Sequence, residues 1–210
     1  MADVPGKSAA SSHFTRIAIA LAGGLLLAAS ILLIVALHSG PNSDAGSVLS
    51  HAIGGPFHLL DQNGKPFTDA NLKGKWHLVF FGYTHCPDIC PTTLNDLSLA
   101  YDKLDQQQKA DLSVVFISVD PERDTPAVLK SYAESFDAPI VGLTGTAADV
   151  KQAAADYHVY YAKHYRADGG YDMDHSAVVY VMDPAGRFVA TITPDEAVKE
   201  IEAKLEKLVS

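Results

Sequence analysis

Hydrophobic and polar positions divide the chain into two unlike regions. From Ile17 to Leu37 (IAIALAGGLLLAASILLIVAL) no residue is charged, and Ser30 is the only polar side chain. These 21 residues match the roughly 20 that an apolar helix needs to cross a bilayer. A cleaved signal has a shorter apolar core, roughly 7–15 residues, followed by a small-residue cleavage site. Here His38-Ser39-Gly40-Pro41-Asn42 follows instead, so the pattern predicts a retained anchor. Beyond it, short apolar blocks alternate with polar turns. His77 to Tyr83, Leu112 to Val119, Ile140 to Leu143, Ala177 to Met182 and Phe188 to Ile192 read as strands. Phe57 to Leu60 and Pro66 to Thr68 flank Asp61-Gln62-Asn63-Gly64, which predicts a small opening hairpin.

Helical spacing fills the gaps. Leu94, Leu97, Tyr101 and Leu104 follow Pro91; Leu129, Tyr132 and Phe136 follow the Thr125-Pro126 start. Thr146 with Asp149, and Thr193-Pro194 with Glu196, resemble capping boxes before two further helices. Strands alternating with helices imply parallel pairing and right-handed crossovers. A closing antiparallel hairpin and helix complete the order of an α/β, thioredoxin-like fold, a mixed sheet flanked by helices. The expected organisation is a cytoplasmic N-terminus over 1–16, a transmembrane anchor over 17–37, a tether over 38–54 and a folded domain over 55–210.

Charge orients this arrangement. Lys7 and Arg16 precede the apolar run, and no Lys or Arg follows until Lys65. The positive-inside rule places the N-terminus in the cytoplasm and the domain outside. A leader of sixteen residues containing Asp3 is a poor mitochondrial transit peptide. The expectation is a single-pass protein of a bacterial inner membrane, with its domain in the periplasm. Residues 41–210 hold 14 basic and 24 acidic side chains, net −10. That balance argues against a nucleic-acid partner and serves solubility, or attraction of a cationic or metal-bearing partner.

The two cysteines are Cys86 and Cys90, in Cys86-Pro87-Asp88-Ile89-Cys90-Pro91. A structural disulfide here would close a very short loop and restrict the unfolded chain little. The pair sits between a buried strand and a helix start, where amides and the helix dipole favour thiolate. Redox pairs usually have two intervening residues; here there are three. Two converging thiolates are soft ligands suited to Cu(I), and they leave room for a histidine. Of nine histidines, His175 is the candidate ligand. It lies in Asp174-His175-Ser176, just before the strand expected at Ala177, where redox members of the fold carry a cis-proline. No proline occurs between Pro139 and Pro184. His85 adjoins Cys86, but neighbours in an extended loop point apart. A ligating imidazole usually donates its other N–H to a carboxylate or carbonyl; Asp174 and Asp120 are candidates. Asp88 reads as a helix cap, Met173 as packing rather than a transient copper contact, and Tyr83 as a neighbour of the site. A peroxidase-like alternative would need an arginine beside one thiol, and Arg123 is the obvious one.

Phe81-Gly82-Tyr83-Thr84-His85-Cys86-Pro87-Asp88-Ile89-Cys90-Pro91 resembles the signature of the Sco/SenC family, copper-binding assembly factors of cytochrome c oxidase. Ser118-Val119-Asp120-Pro121-Glu122-Arg123-Asp124-Thr125-Pro126 and Asp174-His175-Ser176 resemble its second and third blocks. The resemblance covers roughly Gly55 to Val209. It implies a thioredoxin-like fold, with Cys86, Cys90 and His175 as ligands of one copper ion, Cu(I) or Cu(II). It also implies delivery of copper to the CuA site of oxidase subunit II. The alternative is reduction of that site's cysteines by Cys86 and Cys90 as a redox-active pair. Another periplasmic copper carrier or a thioredoxin-like reductant would be a further partner.

Overall fold

The computed structural model describes residues 53–209. The expected cytoplasmic segment, anchor and nearly all of the tether lie outside the described residues. Among the described residues, no helix is long and apolar enough to cross a membrane.

Seven strands form one sheet in the order β2-β1-β5-β4-β3-β8-β9. In chain order these are β1 (His58–Asp61), β2 (Pro66–Thr68), β3 (Trp76–Gly82), β4 (Leu112–Ser118), β5 (Ile140–Thr144), β8 (Val179–Met182) and β9 (Phe188–Ile192). The centre, β3, β4 and β5, is parallel; β1 and β8 join its two sides antiparallel. β3 is buried from His77 through Gly82, which is why its sequence is a continuous apolar run and not an alternating one. Phe80 and Phe81 are both fully buried and point to opposite faces of the sheet. Phe80 tilts onto Phe116 of β4 and Phe81 onto Tyr157, with ring centroids 6.0 and 5.3 Å apart.

The helices are α1 (Ile89–Lys103), α2 (Gln106–Ala110), α3 (Pro126–Ala133), α4 (Ala147–Asp156) and α5 (Val198–Leu208). α1 packs against α5, and α3 against β5. α3 starts as its sequence predicts: the Thr125 hydroxyl accepts from the Val128 amide, and Pro126 occupies the first turn. Thr146 and Asp149 close a reciprocal capping box on α4. α5 starts later than expected. The Thr193 amide donates to the Glu196 carboxylate at 2.9 Å, but that pair closes a separate turn. The helix begins one turn on, where the Glu200 carboxylate accepts from the Ala197 amide.

The largest departure is a separate two-stranded ribbon of β6 (Tyr161–Tyr165) and β7 (Tyr171–His175). It pairs Tyr161 with His175 and Tyr165 with Tyr171. His175 therefore ends β7 and does not directly precede a strand at Ala177; the next sheet strand begins at Val179.

Candidate metal centre

The site lies where β3 runs out at its carboxyl end. The chain turns after Gly82, the Cys86 amide donates to the Tyr83 carbonyl at 3.2 Å, and α1 begins at Ile89. Only Cys90 is helical, so Cys86 reaches it from the preceding loop and not along a shared helix face. Cys90 is fully buried, while Cys86 is 9% exposed. Both are free thiols.

The loop is pinned from β4. Asp124, fully buried, accepts from the Thr84 amide (3.0 Å), the Thr84 hydroxyl (2.6 Å) and the Ser118 hydroxyl (2.6 Å). Gly82 is required by the sulfur itself. A Cβ there would lie 2.6 Å from Cys90 Sγ and 2.8 Å from the Phe116 ring.

His175 comes from the ribbon and closes the group. Its Nε2 is 3.3 Å from Cys90 Sγ. Its Nδ1 lies 3.0 Å from the Ser176 carbonyl. That carbonyl can only accept, so Nδ1 carries the proton and Nε2 presents its lone pair toward the sulfurs. The rings of Phe80 and Tyr83 stand edge-on to the imidazole, with centroids at 6.1 and 5.7 Å. Donor atoms of Cys86, Cys90 and His175 all lie within 4.8 Å of one another. Two thiols and one imidazole facing a common point are a soft, low-coordinate donor set.

The two thiols are electrostatically unequal. A hydrogen bond from the Cys90 thiol holds the Cys86 pKa far below the ordinary thiol value. Burial opposes this, while backbone hydrogen bonds at Asp88 and Cys90 reinforce it. The same hydrogen bond, with burial, raises that of Cys90. The pair therefore shares one tightly held proton, with negative charge concentrated on the more accessible sulfur.

Other sequence candidates go elsewhere. His85 is exposed, and its Nδ1 lies 3.1 Å from the Thr84 hydroxyl, outside the donor cluster. Neither proposed carboxylate supports His175. Asp174 pairs with His164 at 2.7 Å, and Asp120 with Arg123 and the Tyr171 hydroxyl. Asp88 holds the N-cap position of α1 without a side-chain capping bond. Met173 is a strand residue buried in the core. Arg123 is engaged by Asp120, Tyr83 and Tyr171. The roles of Gly82 and the Ser176 carbonyl were not visible in sequence. A glycine at the end of a buried strand and before a cysteine loop was the available signal for the first.

The sheet order and this donor set define a thioredoxin-like protein with a Cys–Cys–His cluster at the end of its central strand. The SCO1/SenC family model matches residues 46–210, and the chain belongs to that family. It is 46% identical over 155 residues to the mitochondrial SCO1 homolog 1 of Arabidopsis thaliana, covering 74% of this chain and 45% of that protein. It is 46% identical over 150 residues to the mitochondrial SCO2 of Saccharomyces cerevisiae, covering 70% and 49%. The chain thus spans about half the length of these relatives. The structure of Bradyrhizobium japonicum ScoI with copper bound superposes with a TM-score of 0.68 and 46% identity, covering 75% of this chain and 99% of that one.

Proposed function

We propose that the chain is a membrane-anchored copper metallochaperone that binds one copper ion through Cys86, Cys90 and His175. The observation that carries this reading is the convergence of their donor atoms within 4.8 Å. The copper-bound relative supports it. Cys86 is poised as thiolate, Cys90 gives up its proton on metal binding, and His175 offers a pre-oriented nitrogen. Thiolates favour Cu(I), and the imidazole also accommodates Cu(II). Cys86 keeps 9% of its surface exposed and His175 is half-buried, so the site borders the surface, where an incoming thiolate can bind before an old ligand leaves. The proposed recipient is the CuA site of cytochrome c oxidase subunit II, as the family resemblance implies.

Residues 17–37 are the proposed inner-membrane anchor, with residues 38–54 as the tether that holds the domain in the periplasm. Tethering raises the effective concentration near a membrane oxidase. Titration of reduced protein with Cu(I) against a competing chelator tests the central reading. Binding at one equivalent is expected. An affinity no tighter than that of the Cys86→Ala, Cys90→Ala variant would overturn it.

The inequality of the two thiols favours a second reading, reduction of the CuA-site cysteines. The Cys86 thiolate attacks a partner disulfide, expelling one partner thiolate and forming a mixed disulfide. Cys90 then loses its proton and attacks Cys86 Sγ, releasing the second partner thiolate. The partner gains two electrons and the pair ends as a Cys86–Cys90 disulfide, to be reset by a periplasmic dithiol reductant. His175→Ala separates the readings: it removes tight copper binding and largely spares dithiol exchange.

A further inference from the structure

His175 is the only member of the donor set that does not sit on the main sheet or its crossover. It rides on a ribbon whose strands pair only with each other, so something other than a sheet ladder must place it. Arg123, in the loop between β4 and α3, supplies the fastening. Its guanidinium carbon lies 3.8 Å from the centre of the Tyr171 ring on β7 and 5.8 Å from that of Tyr83 in the cysteine loop. Its Nη1 donates to the Tyr171 carbonyl at 3.2 Å. Nε pairs with the buried Asp120 carboxylate, which also accepts from the Tyr171 hydroxyl at 2.8 Å. Nη2 is buried without a hydrogen-bond partner among the described residues, as a donor packed beside aromatic rings would be.

The other strand of the ribbon is held from the same loop. Lys163 of β6 pairs with Glu122 and lies 4.0 Å from the centre of the Tyr171 ring. Two cations and two acids thus converge on one tyrosine, four residues before His175 on the same strand. Residues two apart share a face of a strand. Tyr171, Met173 and His175 therefore share one face of β7, and fixing the first helps fix the last.

We infer that Arg123 and Tyr171 are positioning residues that lock the β6–β7 ribbon to the sheet and so hold His175 Nε2 at the cysteine sulfurs. The inference rests on the copper-binding reading for its functional consequence. Neither residue contacts the donor atoms' common point; both act through His175. The competing fastenings are burial of Met173 and the hydrogen bond between Tyr83 and the Met173 backbone.

The test uses the full chain in detergent, reduced, with Arg123→Met and Tyr171→Phe. The first keeps an apolar stem and removes the guanidinium. The second keeps the ring and removes only the hydroxyl. Arg123→Met should weaken Cu(I) binding about tenfold, the size expected for one partly desolvated cation–π contact. In a His175→Ala background it should change nothing further. Equal weakening with and without His175, or no weakening, overturns the inference. In copper-free protein, amide exchange over Tyr171–His175 should speed up in both variants while β3 is unchanged. Unaltered ribbon exchange overturns the lock even where copper affinity falls. Should Arg123→Met not fold, Tyr171→Phe carries both measurements. If the wild-type chain binds no copper, the functional reading fails, and amide exchange still decides whether the lock exists.

Discussion

Cys86 and Cys90 are four positions apart in sequence and unlike in chemistry. Their type and spacing, with His175 far downstream, were enough to predict the donor set. What sequence could not show was which sulfur carries the charge, because that depends on burial and on the direction of one thiol hydrogen bond. The support of His175 was equally hidden. It comes from the Ser176 carbonyl, and a backbone carbonyl leaves no mark on residue type. The asymmetry makes a pH prediction. With its folded pKa held far below the ordinary thiol value of 9.0, Cys86 stays largely thiolate from neutral pH down into the acid range. Cys90, shifted the other way, stays protonated. In copper-free reduced protein, iodoacetamide should modify Cys86 first, at a rate nearly flat between about pH 6 and 8, where a free thiol slows steeply on acidification. Peptide mapping at each pH checks this. Preferential labelling of Cys90, or a Cys86 rate rising about tenfold per pH unit, would contradict it. Cys90→Ala removes the largest of these stabilising contacts and should make the Cys86 rate depend more steeply on pH than in wild type.

At the scale of elements, what the sequence disclosed followed from burial. β3, β4 and β5 are apolar because they are covered, and their helices declare themselves by caps at Thr125 and Thr146. The β6–β7 ribbon stayed hidden because it is barely covered: only Met173 among its residues is buried, so the alternation Tyr171-Asp172-Met173-Asp174-His175 carries one aliphatic-type side chain and no apolar run. α2 is only five residues long with no buried side chain, and it was missed for the same reason. Asp124 is the element-level joint that the local pattern concealed. It follows β4, yet its carboxyl group gathers Ser118 from the end of that strand and Thr84 from the cysteine loop 40 residues earlier. Asp124→Ala leaves the Thr84 amide and the Ser118 hydroxyl without that acceptor, and the Thr84 hydroxyl with only His85 Nδ1 in reach. Unsatisfied buried groups cost about 1–3 kcal/mol each, partly relieved by relaxation. A loss of about 3 kcal/mol is expected in urea unfolding of residues 46–210. Asp124→Asn, which keeps one accepting oxygen and the shape, should lose roughly half as much. A midpoint unchanged in Asp124→Ala would show that the cysteine loop is held by something else.

For the whole molecule, the question is what folding adds to a motif that already contains two of the three donors. In the unfolded chain Cys86 and Cys90 are still four residues apart and still able to chelate; His175 is 85 residues beyond Cys90. The fold contributes the histidine, the buried setting of Cys90 and the space left by Gly82. Copper should therefore stabilise the folded state, but by less than its affinity alone suggests, since ligand bound to the unfolded chain subtracts from the effect. With no binding to the unfolded state, free Cu(I) at 100 times Kd would add about 2.7 kcal/mol. For a domain of this size each kcal/mol moves Tm by roughly 2–4 °C. The upper bound is thus a rise on the order of 5–10 °C, and the observed rise should fall short of it. Differential scanning calorimetry of the reduced domain with and without Cu(I) measures it. His175→Ala should cut the rise sharply, because the folded and unfolded states then present nearly the same two sulfurs. Cys86→Ala should abolish it. An equal rise in wild type and His175→Ala would mean that the fold acts on the copper site through the setting of the two sulfurs and not through His175.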